Sequence, residues 1–166
     1  MPKGPFMEFL RAYVKEETAN TYTKEALQCP TSKTENMAML IHMIEIIPGL
    51  PDLVANQMTK TTAGFRSDGT KTNVDGIEVP DIIWVRQRVR ETKEFTIDAN
   101  TYGSVLYVEE PPEAIRQFDP PLLYSKQQIY CFVMGMNNTA TKGMAGRIGY
   151  TVERISREDF IAALVE

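Results

Sequence analysis

The chain has 166 residues, a length that suits one domain with its own core, and carries 22 acidic against 18 basic residues, a formal charge of −4 and a pI near 5.2. That balance argues against a domain that lives on nucleic acid, and two cysteines, Cys29 and Cys131, far apart and without C-x-x-C spacing, argue against a disulfide framework or a zinc site. No apolar run reaches 18 residues and no charged stretch leads into a long hydrophobic one, so neither a membrane-spanning helix nor a signal peptide is expected; the chain reads as soluble and made in the cytoplasm.

Ten prolines and ten glycines divide the chain into short segments, most with a period of two. Residues 1–8 read as an extended leading segment. Residues 7–17 alternate Leu10, Ala12 and Val14 against Arg11, Tyr13 and Lys15; residues 21–29 form a polar strand closed by Pro30. Residues 37–47 are strongly apolar and stop at Pro48-Gly49. Residues 53–62 mix Val54 and Met58 with threonines ahead of a turn-rich loop over 64–76. Residues 82–90 set Ile83, Val85 and Val89 against Trp84, Arg86, Arg88 and Arg90. Two short strands, 94–98 and 104–109, follow around Asn100 and Gly103, and residues 111–115, led by two prolines, suit one helical turn.

The last third is the most informative. Residues 118–124 lead into an apolar strand from Ile129 to Met136 whose two sides, Ile129, Cys131 and Val133 against Tyr130, Phe132, Met134 and Met136, both ask for cover. After Asn137-Asn138-Thr139 comes a half-buried strand over 146–155, with Ile148, Tyr150 and Val152 opposed to Gly149, Thr151 and Glu153. Ser156 to Asp159 has the layout of a capping box, which predicts a helix over 156–166 with Phe160, Ile161, Leu164 and Val165 in one apolar stripe. Eight or nine strands, one terminal helix and connections too short for βαβ crossovers imply an all-β, antiparallel two-sheet sandwich or barrel formed by one domain, residues 1–166.

No cluster announces chemistry, and no catalytic, cofactor-binding or metal-ligating residue is assigned. His42, the single histidine, lies in an apolar strand with Leu40, Ile44 and Ile46 on its side, and reads as structural for want of converging ligands. Cys29 and Cys131 read as small hydrophobes. Glu109 and Glu110 are adjacent, point to opposite faces and cannot flank one bond. Asn137-Asn138-Thr139 reads as turn chemistry. Arg86, Arg88 and Arg90 beside Trp84 suit a charged solvated face, a nucleic-acid groove or a subunit contact, the first being the simplest.

The Pro120-Pro121-Leu122-Leu123 lead into a long apolar strand, the small polar turn, and the closing Gly149-Tyr150-Thr151-Val152-Glu153 together resemble the end of a single jelly-roll coat protein. The likeness is to the small jelly-roll capsid proteins of tailless icosahedral viruses of archaea and bacteria, many of which hold a membrane inside the shell. It implies a jelly roll, a structural rather than enzymatic role in a self-assembling or co-assembling virion shell, and partners that are copies of the chain, a second coat protein or an inner membrane. No cofactor comes with it. Many such proteins have a basic N-terminal arm, whereas this chain has only Lys3 before Arg11, so no direct nucleic-acid binding is expected and the genome falls to other components. The subunit-contact candidates are Phe6, Phe9 and Leu10, Trp84 with Arg86 and Arg88, and Met134 and Met136; nine methionines suit contacts with slightly different neighbours. The competing reading is a jelly-roll carbohydrate-binding module, for which Asn100, Tyr102 and Tyr107 are the candidates.

Overall fold

The computed structural model describes residues 6–74, 81–110 and 113–165. Among these lie nine strands and one helix: β1 Glu8–Lys15, β2 Thr23–Gln28, β3 Met37–Pro48, β4 Met58–Arg66, β5 Ile82–Asp98, β6 Thr101–Glu109, β7 Ile115–Tyr124, β8 Gln128–Met136, β9 Gly143–Arg154 and α1 Arg157–Val165. They form two antiparallel sheets, ordered β1-β9-β3-β7 and β2-β8-β4-β5-β6. The chain crosses between sheets at most connections, and a 1-9-3-7 sheet facing 2-8-4-5 is the jelly-roll interleaving, with β6 added as a hairpin on β5. The all-β sandwich expected from the sequence is therefore present.

Alternation on the pleat makes the core. Met39, Ile41, Ile44 and Ile46 of β3 and Met144, Ile148 and Tyr150 of β9 face Ala63 and Phe65 of β4 and Ile129, Cys131 and Val133 of β8. The inward residues of β3 change parity between Ile41 and Ile44. Ile41 pairs with Tyr150 and Met43 with Gly149, leaving His42 as the extra residue of a β-bulge. The strict alternation that grouped Leu40 with Ile44 fails for that reason: one inserted residue flips every side chain beyond it. His42 Nε2 lies 2.9 Å from Thr151 Oγ1, the hydrogen bond that satisfies the ring.

The cover that β8 asks for on its second side comes from a polar device. On the outer face of the five-stranded sheet Phe132 is fully buried beneath Tyr22, whose ring stacks on it at 5.6 Å, and beneath the Arg66 guanidinium, 5.7 Å from its centroid. Arg66 is itself fully buried and is held by Asp81 at 2.6 Å, by the Tyr22 hydroxyl at 3.2 Å and by the Asn73 carbonyl at 3.0 Å. Lys24 donates to the carbonyls of Gly69 and Lys71, drawing the loop after β4 over the same spot. A guanidinium can do this because its flat face stacks on rings while its edge reaches several acceptors.

Other differences from the sequence reading are local. β4 starts at Met58, later than expected, and runs through Gly64 to Arg66, so the following loop begins at Ser67. The segments 82–90 and 94–98 are one 17-residue strand, β5. Glu113 and Ala114 are not helical and Ile115 opens β7; Pro111 and Pro112 lie outside the described residues. The helix is capped as expected, with Ser156 Oγ accepting from the Asp159 backbone N–H at 3.0 Å. Its apolar stripe is narrower: Phe160 is buried and Leu164 half-buried, but Ile161 is exposed. Among the described residues the non-glycine positions with positive φ are all asparagines, Asn20, Asn36, Asn56 and Asn137, the residue type that tolerates this region best after glycine.

Removing one partner of a buried ion pair strands the other charge. Asp81→Ala is therefore expected to cost about 3 kcal/mol or more in denaturant unfolding, while a double change of Arg66→Met with Asp81→Leu restores most of the loss. Equal destabilisation by the single and double variants would remove the pair from this account.

Candidate interaction surface

Both cysteines are buried and unpaired; burial pushes the Cys29 thiol up to about 12 and the Cys131 thiol up to about 11, away from the thiolate a nucleophile needs. Glu109 ends β6, and Glu110 reaches Arg88 at 3.5 Å.

The arginine row does something none of the three sequence readings anticipated. Arg86, Arg88 and Arg90 point between the sheets and donate to the backbone carbonyls of Ile46, Pro48 (2.7 Å) and Pro51 (3.2 Å). Each side chain reaches across the gap of about 10 Å between packed sheets and satisfies a carbonyl at the end of β3 or in the loop after it. Arg86 is buried, Arg88 part-buried, and Trp84 packs against the core. Of the other contact candidates, Leu10 also packs against the core, and Met134 and Met136 are half-buried in a groove of about 280 Å³ on the outer face of the five-stranded sheet. Phe6 and Phe9 are exposed. Phe9 lies on the outer face of the four-stranded sheet under the Arg147 guanidinium, 5.1 Å from the ring, with Arg147 held by Glu45 at 2.5 Å; Tyr13 and Ile47 are exposed on the same face.

Among the described residues, β5 and β6 carry a run of exposed apolar side chains of which the sequence reading singled out only Tyr102 and Tyr107, as carbohydrate-site candidates. β4 pairs with β5 only as far as Met58 opposite Glu91. From Thr92 onward β6 is the only strand beside β5 among the described residues, so residues 92–106 form a two-stranded arm reaching roughly 23 Å beyond the sheet, seven residues at the rise of a strand. Phe95, Ile97, Tyr102, Val105, Leu106, Tyr107 and Val108 are all between 45% and 76% exposed. Register distributes them over both faces: Val105 and Tyr107 sit opposite Lys93 and Glu91 on one, Leu106, Val108 and Tyr102 opposite Thr92, Arg90 and Thr96 on the other. The Phe95 ring lies across Gly103, where a Cβ would come within 2.5 Å of it. The signal was present as Val105-Leu106-Tyr107-Val108, apolar at both parities, a pattern that in a half-buried strand would alternate.

The arm's root is fixed. Thr92 donates from its N–H to the Gln57 carbonyl at 3.3 Å and from its hydroxyl to the Val54 carbonyl at 2.5 Å, and the Glu94 N–H donates to Asn56 Oδ1 at 2.8 Å. The loop that receives these bonds is tied in turn to the 137–142 turn. Asp52 Oδ2 accepts from the Thr139 N–H, the Thr139 hydroxyl and the Ala140 N–H, each at 2.9 Å, and Oδ1 takes the Lys142 ammonium. Asn138 Nδ2 donates to the Lys60 carbonyl and its N–H to Asn20 Oδ1, both at 2.8 Å. Glu16, buried, accepts the Gly135 and Lys142 N–H groups at 2.5 and 2.7 Å. The asparagine turn is thus the knot that joins three loops at the arm's end of the sandwich.

No protein-family model and no curated protein matches this chain.

The Lys142 ammonium and the turn's donors hold the Asp52 carboxyl at about 2, below the ordinary carboxylate value. A depressed folded-state value means that Asp52 stabilises the fold above the ordinary carboxylate range and that the contribution is lost as pH falls from about 4 through 2. Asp52→Asn is expected to flatten the melting-temperature profile in that window, read by thermal unfolding at stepped pH. A variant whose acid limb is as steep as the parent's would show that Asp52 is not tied in this way.

Proposed function

We propose that the protein is a structural subunit of a viral shell, a jelly-roll coat protein that assembles with copies of itself or with a second coat protein. The observation that carries this reading is the arm: Phe95, Ile97, Tyr102, Val105 and Leu106 on the two-stranded extension, with Tyr107 and Val108 at its root, are exposed apolar side chains that none of the described residues covers. Exposed apolar surface of this kind marks a place where another molecule sits, and the fixed root presents it at a defined angle. The strand order supports the same reading, since a sandwich stiffened by cross-sheet arginines is suited to tiling, where each subunit must present several surfaces in fixed relation. Phe9, Tyr13 and Ile47 on the outer face of the four-stranded sheet supply a second such surface. The net charge of −4 fits a shell whose genome is handled by other components.

The carbohydrate-binding alternative draws no comparable support. Its candidates do not converge: Tyr102 and Tyr107 are five residues apart on β6 and point to opposite faces of the arm, while Asn100 sits in the hairpin turn with its N–H bonded to Asp98 Oδ1 at 2.9 Å.

Sedimentation and electron microscopy across a concentration series test the proposal. Mass is expected to rise with concentration and end in closed particles. Burying a large apolar side chain contributes about 1.5–3 kcal/mol, so Leu106→Ser or Tyr107→Ser is expected to weaken assembly roughly tenfold or more. A protein that stays monomeric throughout, alone and with candidate partner coat proteins, and saturates with a glycan would replace the shell reading with the carbohydrate-binding one.

A further inference from the structure

The two sheets have four edges, and the sequence guards three of them. β1 carries Glu8, Arg11 and Lys15; β2 carries Lys24 and Glu25; β7 carries Arg116, Asp119 and two prolines, Pro120 and Pro121. Charge and proline are the devices that stop a free edge from pairing with another strand. The fourth edge, β6, has neither from Thr101 to Val108; its single charge is Glu109, the last residue. It also belongs to the arm, so its outward N–H and C=O groups stand clear of the sandwich, and the side chains beside them are apolar. An isolated two-stranded ribbon is marginal in water, and a third or fourth strand removes that weakness.

We propose that β6 pairs antiparallel with β6 of a second copy across a two-fold axis at Val105, joining two arms into a four-stranded ribbon. This rests on the self-assembly reading and names the contact that begins it. A second copy fits the edge because the strand complements itself. With Val105 facing its own copy, Ser104 faces Leu106, Gly103 faces Tyr107, Tyr102 faces Val108 and Thr101 faces Glu109. No like charges meet, and directly opposed residues share a face, so apolar side chains line up across the new seam. Tyr107 of the second copy enters beside the Phe95 ring that already lies over Gly103. A parallel alignment of the same strands in register would instead stack Glu109 on Glu109, a repulsion the antiparallel pairing avoids. The antiparallel arrangement is isologous and closes on itself, so it gives dimers of arms rather than endless fibres.

Site-specific cross-linking tests the register. Cβ atoms of directly opposed residues in an antiparallel pair are about 4.5–5.5 Å apart, close to what a disulfide needs, whereas a residue one step from the axis faces a different residue. Under mild copper-catalysed air oxidation, Val105→Cys is expected to form a covalent dimer, while Leu106→Cys and Tyr107→Cys stay monomeric; the native thiols are buried, so the parent protein gives no dimer. Placing charge on the edge with Val105→Lys and Leu106→Lys together is expected to abolish the dimer in sedimentation, with thermal unfolding of the sandwich unchanged. Absence of the Val105→Cys dimer, or cross-linking equal at all three positions, overturns the pairing. Closed particles that assemble from Val105→Cys protein without a cross-link at that position overturn it too and leave the coat-protein reading standing. A cross-linked dimer that never grows larger upholds the pairing and removes the shell.

Discussion

The constraint on which the structure turns is that a ribbon of two strands has no interior, so apolar side chains on both of its faces stay in water until something else covers them. β5 and β6 create that situation by continuing past the last β4 partner, Glu91, with Phe95, Ile97, Tyr102, Val105 and Leu106 beyond it. Within the sandwich each sheet buries one face against the other, and there the demand is met by Phe65, Ile129, Val133 and the β3 isoleucines. On the arm the same demand is left unmet by the described residues.

Polar groups do the stiffening where the apolar core runs out. At one margin three arginines of β5 span the sheets and end on carbonyls of β3 and its following loop. On the outer face Arg66 and Tyr22 roof over Phe132. At the loop end Asp52, Glu16 and Asn138 bind three connections together, and the loop so anchored holds Thr92 and Glu94 at the root of the arm. A side chain in any of these places trades water for several protein partners at once, which makes the local geometry specific as well as satisfied. The arm is therefore exposed yet aimed.

Much of the fold was legible because period-two patterning survives wherever one face is buried. The alternation of β1 and β9, the two-sided apolarity of β8 and the Ser156 cap all translate directly into structure. The failures share a cause, which is that strand patterning records burial but not partners. His42 as a bulge residue was invisible because apolar residues flank it at both parities. Arg86 and its neighbours looked like a solvated row because a carbonyl 40 residues away leaves no mark on the local pattern. The arm was broken into short strands because residues 91–94, Glu-Thr-Lys-Glu, carry no apolar side chain on either face. The true signal for the exposed surface was a conflict, apolar residues at both parities beside a strand with nothing to cover them, and such conflicts mark functional surface more often than core.

Amide hydrogen exchange along β6, followed as a function of protein concentration, tests the central claim most directly, because it reports whether the free edge acquires a partner. The outward-facing amides between Thr101 and Val108 are predicted to exchange rapidly in dilute protein and to become protected as concentration rises, while the amides of β3 and β9 stay protected throughout. Edge amides that remain unprotected in concentrated protein, or that are already protected in the monomer, would contradict the account.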